Sequence, residues 1–407
     1  MFKVIFSRRM FVSFLMGFAC GLPLLLTSTV LQAWMKEEGV DLTAIGLMAL
    51  VGLPYTLKFL WAPFLDRFTL SFLGRRRGWL LVAQIALVFA IAGQGFAPPA
   101  QNPVIMVLAA LLVTFFSASQ DIVVDAYRRE DLADEELGLG SSFYINGYRV
   151  GMLLASGGGL ILADHLSFTM VYLIMAACML PAIITTLLTP EPPISAGTPK
   201  TIKEAIVEPL VEYFSRENAV LVLMFVLFYK IGDTMASAIT TPFYLDIGFS
   251  KTEIGAVVKI FGFWATIAGS LTGGVLMLRM GINRALWIFG FLQAISTAGF
   301  ALLAHIGYSV PLLSGVIAFE NLTGGMGTAA YAAFMGSITN KKFTATQYAL
   351  LSSLMGVPRV LASAPTGFLA KHMGWESFFI SCVFIAIPGM LLLLKFAPFN
   401  PKGLKKI

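Results

Sequence analysis

The sequence has few charged residues and few side chains of the kinds that hold metals or disulfides. Charged residues make up 12% of its 407 positions, and there are only three cysteines and three histidines. So little charge is atypical of a soluble domain. Cys20, Cys178 and Cys382 lie within apolar stretches, and the histidines share no ligand spacing. We therefore predict no disulfide framework, no metal and no cofactor.

The sequence also lacks the signatures of enzymes. No nucleophile–base pair, Walker A motif or dinucleotide-binding glycine pattern appears in a suitable context. Gly157-Gly158-Gly159 lies inside an apolar stretch, where close packing of helices is the simpler explanation. We predict a protein that is not an enzyme.

Long apolar runs dominate what is present. Hydrophobic residues make up 57% of the chain, and the mean hydropathy is +0.83. The runs are long enough for helices that cross a hydrocarbon core of about 30 Å. We predict an all-α polytopic membrane protein with an uncleaved first helix and twelve spans, at residues 10–34, 44–65, 79–97, 103–127, 138–163, 168–189, 218–242, 252–278, 284–304, 308–336, 344–370 and 375–397.

Basic residues lie mainly on one side of these spans. The loops on the side of both termini carry most of the Lys and Arg, whereas the opposite loops carry only Lys36, Lys251 and Lys371. By the positive-inside rule we expect both termini in the cytoplasm. The net charge of +6 and the pI of 9.2 therefore reflect orientation in a bilayer, and we predict no nucleic-acid partner.

A weak internal repeat divides the chain. The stretch that begins at Gly39 is similar to the stretch that begins at Gly248, and nearly the same offset relates Arg149-Val150 to Arg359-Val360. Parallel repeats of this kind are typical of transporters. We predict a six-helix bundle at 1–190, a cytoplasmic linker at 191–217 and a second six-helix bundle at 218–407.

The linker is rich in proline at its start and then becomes amphipathic. Thr201-Ile202-Lys203-Glu204 reads as a capping box, and Ile206, Leu210 and Phe214 share a face with Ile202. We predict a short amphipathic helix on the cytoplasmic surface, and we interpret it as a spacer between the halves.

Ionisable residues within the spans point to transport, because charge at membrane depth is costly and usually functional. Away from the ends of the spans, these residues are Lys58, Asp121, Asp125, Arg149, Lys230, Asp233, Lys259, Glu320 and Arg359. The third, sixth, ninth and twelfth spans hold none away from their ends, so we expect those four to face lipid. Polar residues at helical spacing, among them Gln32, Asn146 and Lys230, favour a polar interior, although packing between helices would also explain the small ones.

Arg149 and Arg359 lie near the middle of their spans, one in each half. Arginine grips carboxylate or phosphate with two hydrogen bonds. We predict that the two residues bind an anionic substrate; the alternative is a structural pair with Asp233 or Glu320.

Four acids are candidates for proton coupling. Asp233 and Glu320 are the deepest, although a local ion pair with Lys230 would also explain Asp233. Asp121 and Asp125 share one helical face nearer the cytoplasmic end, where a charge cluster with Arg128 that stabilises one conformation is the alternative.

The loop after the second span contains Asp66-Arg67 and then Gly74-Arg75-Arg76-Arg77-Gly78. Basic loops of this kind are usually topology signals. A carboxylate at a helix end beside several arginines could instead form a breakable contact between helix bundles. We predict a gating role for Asp66, Arg67, Arg75, Arg76, Arg77 and Arg128.

This loop resembles the signature of the major facilitator superfamily, although its two elements are further apart than usual. Further blocks resemble the AmpG muropeptide permeases: Leu31-Gln32-Ala33-Trp34-Met35, Lys58-Phe59-Leu60-Trp61-Ala62-Pro63, Ser117-Ala118-Ser119-Gln120-Asp121-Ile122-Val123 and Gly147-Tyr148-Arg149-Val150-Gly151-Met152-Leu153. The C-terminal half matches more loosely.

The resemblance implies a multi-pass protein of the inner membrane of a Gram-negative bacterium. It implies proton-coupled import of N-acetylglucosaminyl-1,6-anhydro-N-acetylmuramyl peptides for peptidoglycan recycling, by a monomer in the lipid bilayer. Sugars would suit the aromatic side chains of Tyr55, Tyr148 and Trp264. Two alternatives are a transporter of another bulky anion, such as acetyl-CoA, and a ligand sensor on a transporter fold.

Overall fold

A computed structural model of the chain describes residues 2–40, 42–70, 72–193, 199, 201–250, 253–362 and 365–399. Helical segments cover each of the predicted spans and the linker. They are α1 (Arg8–Glu37), α2 (42–67), α3 (Arg75–Gly95), α4 (Pro103–Asp131), α5 (137–163), α6 (Phe168–Leu188), α7 (Ile202–Phe214), α8 (Ala219–Ile247), α9 (254–280), α10 (282–306), α11 (Val310–Ile338), α12 (Thr344–Leu354, Gly356–Leu361 and Thr366–Met373) and α13 (Trp375–Phe396).

Among the described residues, seven helical stretches are long and apolar enough to cross a membrane. One of them contains both α9 and α10, because Gly281, with a φ of 77°, interrupts the helix between them. Other spans are broken within their length. In α2 the helix restarts at Leu53 and Ala62, each followed by a proline, which lacks the amide for a regular helical hydrogen bond.

The chain forms two compact units. The first contains Met1–Val211 and Gly336–Ser353, and the second contains Glu212–Met335 and Leu354–Ile407. The end of α11 and the start of α12 therefore belong to the first unit, although they lie in the predicted C-terminal bundle. The division into six plus six helices stays a prediction.

In the first unit, glycines bring α1 and α5 into backbone contact. A Cβ atom on Gly17 would lie 2.0 Å from the carbonyl oxygen of Tyr144, and one on Gly147 would lie 1.9 Å from that of Phe14. The pattern repeats four residues later at Gly21 and Gly151. Small residues at this spacing let membrane helices approach closely. The contact positions the polar side chains that α5 carries.

The second unit uses the same device between α9 and α11. A Cβ atom on Gly269 would lie 2.0 Å from the carbonyl oxygen of Leu322, and one on Gly325 would lie 2.4 Å from that of Thr266. This close approach holds the middle of α11, which carries Glu320, against its neighbour.

The spans predicted to face lipid expose large apolar side chains. Phe89 in α3, Leu188 in α6, Phe291 in α10 and Phe384 in α13 are each at least 60% exposed. Apolar side chains need no partner in hydrocarbon, so this exposure fits lipid contact.

The linker helix α7 begins as predicted. The hydroxyl oxygen of Thr201 accepts a hydrogen bond from the amide of Glu204 at 3.0 Å. The carboxylate of Glu204 binds Lys342, so its bond to a neighbouring segment competes with the reciprocal half of a capping box.

We predict that Gly147→Ala destabilises the protein by about 1–3 kcal/mol, because the added methyl group has no room between α1 and α5. Thermal unfolding of the purified protein in detergent measures this as a lower midpoint. Gly93→Ala is the matched control, since a Cβ atom on Gly93 in α3 would meet no atom within 4 Å. Equal midpoints for the two variants would contradict the packing argument.

Candidate functional site

A buried ion pair lies within the spans of the first unit. Lys58 in α2 and Asp121 in α4 are both buried, and the Lys58 Nζ atom lies 3.9 Å from a carboxylate oxygen of Asp121. Tyr55 lies close to Ser117 and Asp121. This brings together three of the residues predicted from the sequence, on helices distant in the chain.

One turn further along α4, Asp125 pairs with Arg128. Their side chains are buried, and the carboxylate accepts a hydrogen bond from the guanidinium at 3.0 Å. Arg128 also donates to the hydroxyls of Ser141 and Tyr348, at 2.9 and 2.8 Å, and its guanidinium lies over the ring of Tyr144. Arg128 thus joins α4 to α5 and to the start of α12.

A second group of buried charges, which we call the Asp66 cluster, contains Asp66, Arg75, Arg76 and Glu130. One carboxylate oxygen of Asp66 accepts hydrogen bonds from both arginines at 2.8 Å. Glu130 at the end of α4 accepts from the Nε atom of Arg76 at 2.9 and 3.1 Å. Two carboxylates and two guanidiniums therefore balance in one buried cluster.

Asp66 also caps the first helix of α12. Its second carboxylate oxygen accepts from the amide and the hydroxyl of Thr346, at 2.8 and 2.7 Å, and its first accepts from the amide of Ala345 at 3.3 Å. A negative charge at a helix N-terminus satisfies free amides and interacts favourably with the helix dipole. The carboxylate thus holds a segment 280 positions further along the chain.

The remaining basic residues of this loop have other partners. Arg77 donates to the carbonyl oxygens of Thr186 and Leu187 at the end of α6, at 2.9 and 2.7 Å. The guanidinium of Arg67 lies over the ring of Phe68. Within the predicted gating set, Arg75 and Arg76 form ion pairs with Asp66.

Lys342, in the loop before α12, links this region to the linker helix. Its Nζ atom donates to Glu204 at 2.8 Å and to Glu208 at 3.0 Å, and the backbone carbonyl of Lys342 accepts from Arg75. The two hydrogen bonds to carboxylates raise the pKa of Lys342, so its charge persists at neutral pH. The side chain of Gln347 in α12 donates to the carbonyl of Pro209 in the linker helix α7.

The second unit contains a pair of acids. Glu320 in α11 lies beside Asp233 in α8, within range of a hydrogen bond between the two carboxyl groups. Lys230 lies 3.4 Å from Asp233, and its Nζ atom also donates to Thr328 at 2.8 Å. The hydroxyl of Ser296 donates to Glu320. The structure thus brings together three of the five charged residues that the sequence places within the spans of this half.

Other predicted residues lie in varied surroundings. Asn146 is buried and donates to the carbonyl of Ser142 in its own helix, whereas Gln32 is exposed. The side chain of Trp264 is 63% exposed and contacts Phe263 edge to face.

The remaining binding candidates lie on α5 and α12. Arg149 is half-buried in α5, and Tyr148 lies one residue before it with its ring beside that of Tyr144. Arg359 belongs to the helical stretch Gly356–Leu361, and its side chain lies outside the described residues.

Several residues of these clusters escaped the sequence analysis. Glu130, Thr346 and Tyr348 make contacts between distant segments, which spacing along the chain does not reveal. Glu191 accepts hydrogen bonds from the amides of Arg76 and Arg77, at 2.7 and 3.0 Å, and so caps α3. The position of Glu191 between two prolines, just after the sixth span, was the sequence pattern that could have indicated this capping role.

Helices on every predicted span, with buried charges paired inside them, define a multi-pass membrane protein of the transporter class. The family model of the Major Facilitator Superfamily matches residues 9–363 and 231–407. The chain therefore belongs to the Major Facilitator Superfamily. This confirms the predicted fold class and a transporter rather than an enzyme.

Relatives of known name agree with this membership and confirm the resemblance to AmpG proteins. An anhydromuropeptide permease of Escherichia coli (strain K12) is 46% identical over 394 residues, which cover 96% of this chain and 80% of that protein. Putative transporter AmpG 4 of Rickettsia felis is 32% identical over 96% of this chain and 97% of that protein.

Two solved structures show the same fold. The proton:xylose symporter XylE matches with a TM-score of 0.74 over 97% of this chain and 96% of that chain, at 13% sequence identity. The E. coli fucose:proton symporter FucP matches with a TM-score of 0.74 over 94% of this chain and 97% of that chain, at 12% identity.

We predict that Asp66→Ala destabilises the protein by about 3–5 kcal/mol, because it leaves two buried guanidiniums with one carboxylate and removes the cap of α12. A lower midpoint of thermal unfolding in detergent measures the loss. Glu135→Ala, at an exposed position of the loop after α4, serves as the control. An unchanged midpoint for Asp66→Ala would show that the cluster is not a stabilising contact.

Proposed function

We propose that the chain imports N-acetylglucosaminyl-1,6-anhydro-N-acetylmuramyl peptides across the inner membrane of a Gram-negative bacterium for peptidoglycan recycling. It does so as a monomer with both termini in the cytoplasm. Import is coupled to protons and proceeds by alternating access between the predicted six-helix bundles at 1–190 and 218–407, with 191–217 as the linker.

The observation that carries this proposal is the 46% identity to the E. coli anhydromuropeptide permease over 96% of the chain. An aligned region of this extent includes the spans that hold the buried charges. The proposed topology, with both termini in the cytoplasm, rests on the distribution of Lys and Arg between the two sides of the predicted spans.

The chemistry of the spans fits such a substrate. Muropeptides carry several carboxylates, and cations within spans can hold them with charge-assisted hydrogen bonds. We assign substrate contacts to Arg149, Arg359 and Lys230. Polar and aromatic side chains predicted to complete the site are Gln32, Tyr55, Asn146, Tyr148 and Trp264.

The Asp66 cluster supplies the gate in this proposal. Its hydrogen bonds hold the start of α12 to the loop between α2 and α3, and Arg128 adds a bond to Tyr348 in the same helix. Opening the cytoplasmic side would release these bonds. Hydrogen bonds and ion pairs between two segments can break and re-form together, as a reversible gate requires.

Transport is tested with purified protein in proteoliposomes. We expect accumulation of labelled N-acetylglucosaminyl-anhydromuramyl peptide when the pH gradient directs protons in the direction of uptake, and a loss of accumulation when the gradient is abolished. Unlabelled muropeptide should compete, whereas acetyl-CoA should not. Accumulation that does not depend on the gradient would contradict proton coupling but not muropeptide transport. Saturable binding without accumulation would favour the alternative of a ligand sensor on a transporter fold.

The acid pair of the second unit is the best candidate for the coupling proton. Asp233 and Glu320 together would carry two negative charges beside the single cation Lys230 among the described neighbours. One shared proton would balance the charge of this group, and buried groups of like charge resist double ionisation. In the first unit, by contrast, Asp121 and Asp125 each have a cationic partner. We therefore assign proton binding to Asp233 and Glu320. We propose that Asp121 and Asp125 transmit the conformational change that follows proton binding.

We predict that Glu320→Gln abolishes accumulation driven by the pH gradient and keeps exchange of labelled for unlabelled substrate, because the amide keeps the shape of the side chain but cannot release a proton. The measurement compares both activities in the same vesicles. Glu376→Gln, which alters a half-exposed side chain paired with His305, is the matched control. Full accumulation by Glu320→Gln would exclude a coupling role for this residue.

A further inference from the structure

The linker helix α7 presents an exposed apolar face. The exposed fractions are 61% for Val211, 54% for Phe214, 43% for Val207, 41% for Ile206 and 40% for Leu210. At about 100° per residue these five positions occupy one continuous arc of the helix. Such an exposed apolar surface marks an interaction site.

The opposite face of α7 is held by protein. Ala205 and Pro209 are buried, Glu204 and Glu208 bind Lys342, and the carbonyl of Pro209 accepts from Gln347. The helix is therefore fixed in rotation, and its apolar arc must point away from these contacts.

Two further observations identify what covers the arc. The helix ends at Phe214 and the next span begins at Ala219, so an extended connection of at most about 18 Å joins them. This short connection keeps the helix near the level where α8 leaves the hydrocarbon. Lys203, exposed within the same arc near the start of the helix, can place its charge among lipid phosphates while its stem stays apolar.

We propose that α7 lies in the interfacial region of the cytoplasmic leaflet, with this arc against the acyl chains and Lys203 among the headgroups. Helices that are apolar on one face and charged on the other bind membranes in this way. Because α7 also holds Lys342 and Gln347, the leaflet positions the loop and helix that Asp66 caps. The linker is then a membrane-bound support rather than a passive spacer.

The test places an environment-sensitive fluorophore on Val211→Cys, after Cys20, Cys178 and Cys382 have been replaced by serine. The protein is reconstituted in phosphatidylethanolamine–phosphatidylglycerol vesicles with or without brominated acyl chains. We expect brominated lipid to reduce the emission at least twofold, with little quenching by aqueous iodide. Glu135→Cys, in an exposed loop on the same predicted side, should show the reverse.

Quenching of the Val211 probe by iodide and not by brominated lipid would overturn the proposal. Energy transfer between labelled copies of the chain that is the same with and without brominated lipid would also overturn it, because a second copy of the chain would then cover the arc. A measurement on the unaltered chain guards against misfolding of the cysteine variants. A lipid with a photoreactive acyl chain should crosslink within residues 206–214 and not within 133–136, and the absence of crosslinks at 206–214 would also overturn the proposal.

Discussion

The first unit depends on the charge of one buried carboxylate. Asp66 is fully buried and accepts from two guanidiniums, two amides and a hydroxyl. A charge removed from water is tolerated only when it is paired and hydrogen-bonded throughout. Asp66 meets this condition by drawing the loop after α2, the start of α3 and the start of α12 to one point, and Glu130 balances the second arginine. Without that charge, the amides of α12 and the two guanidiniums would lose their common partner.

Helix α4 connects this cluster to the buried charges within its span. Asp121, Asp125, Arg128 and Glu130 follow one another along it, and each pairs with a side chain of opposite charge. The pairs are close enough that a change of charge or position at Asp121 alters the field at Asp125, and Asp125 orients the arginine that holds Tyr348. One continuous helix thus connects these paired charges to the Asp66 cluster, which we propose as the gate.

The parts of this arrangement that the sequence predicted are those decided by local chemistry. Apolar run length located the spans, and spacing of three residues located the pair of Lys230 and Asp233. The bond from Asp66 to Thr346 depends on how distant segments pack, which periodicity within one helix does not contain. The same holds for Arg77, whose place in a basic loop suggested gating but whose guanidinium binds carbonyl groups at the end of α6. The sequence thus shows which residues are charged, but not which residue each charged side chain contacts.

The two units solve the problem of buried charge differently, and the difference bears on energy coupling. In the first unit Asp121 and Asp125 each have their own cation, so the group is neutral with both acids ionised. In the second, Asp233 and Glu320 share Lys230, and Ser296 and Thr323 extend the hydrogen-bonded chain behind Glu320. A group that is neutral only with one proton bound is the better candidate for a proton site. The acids proposed for coupling therefore belong to the second unit, and the proposed gate belongs to the first.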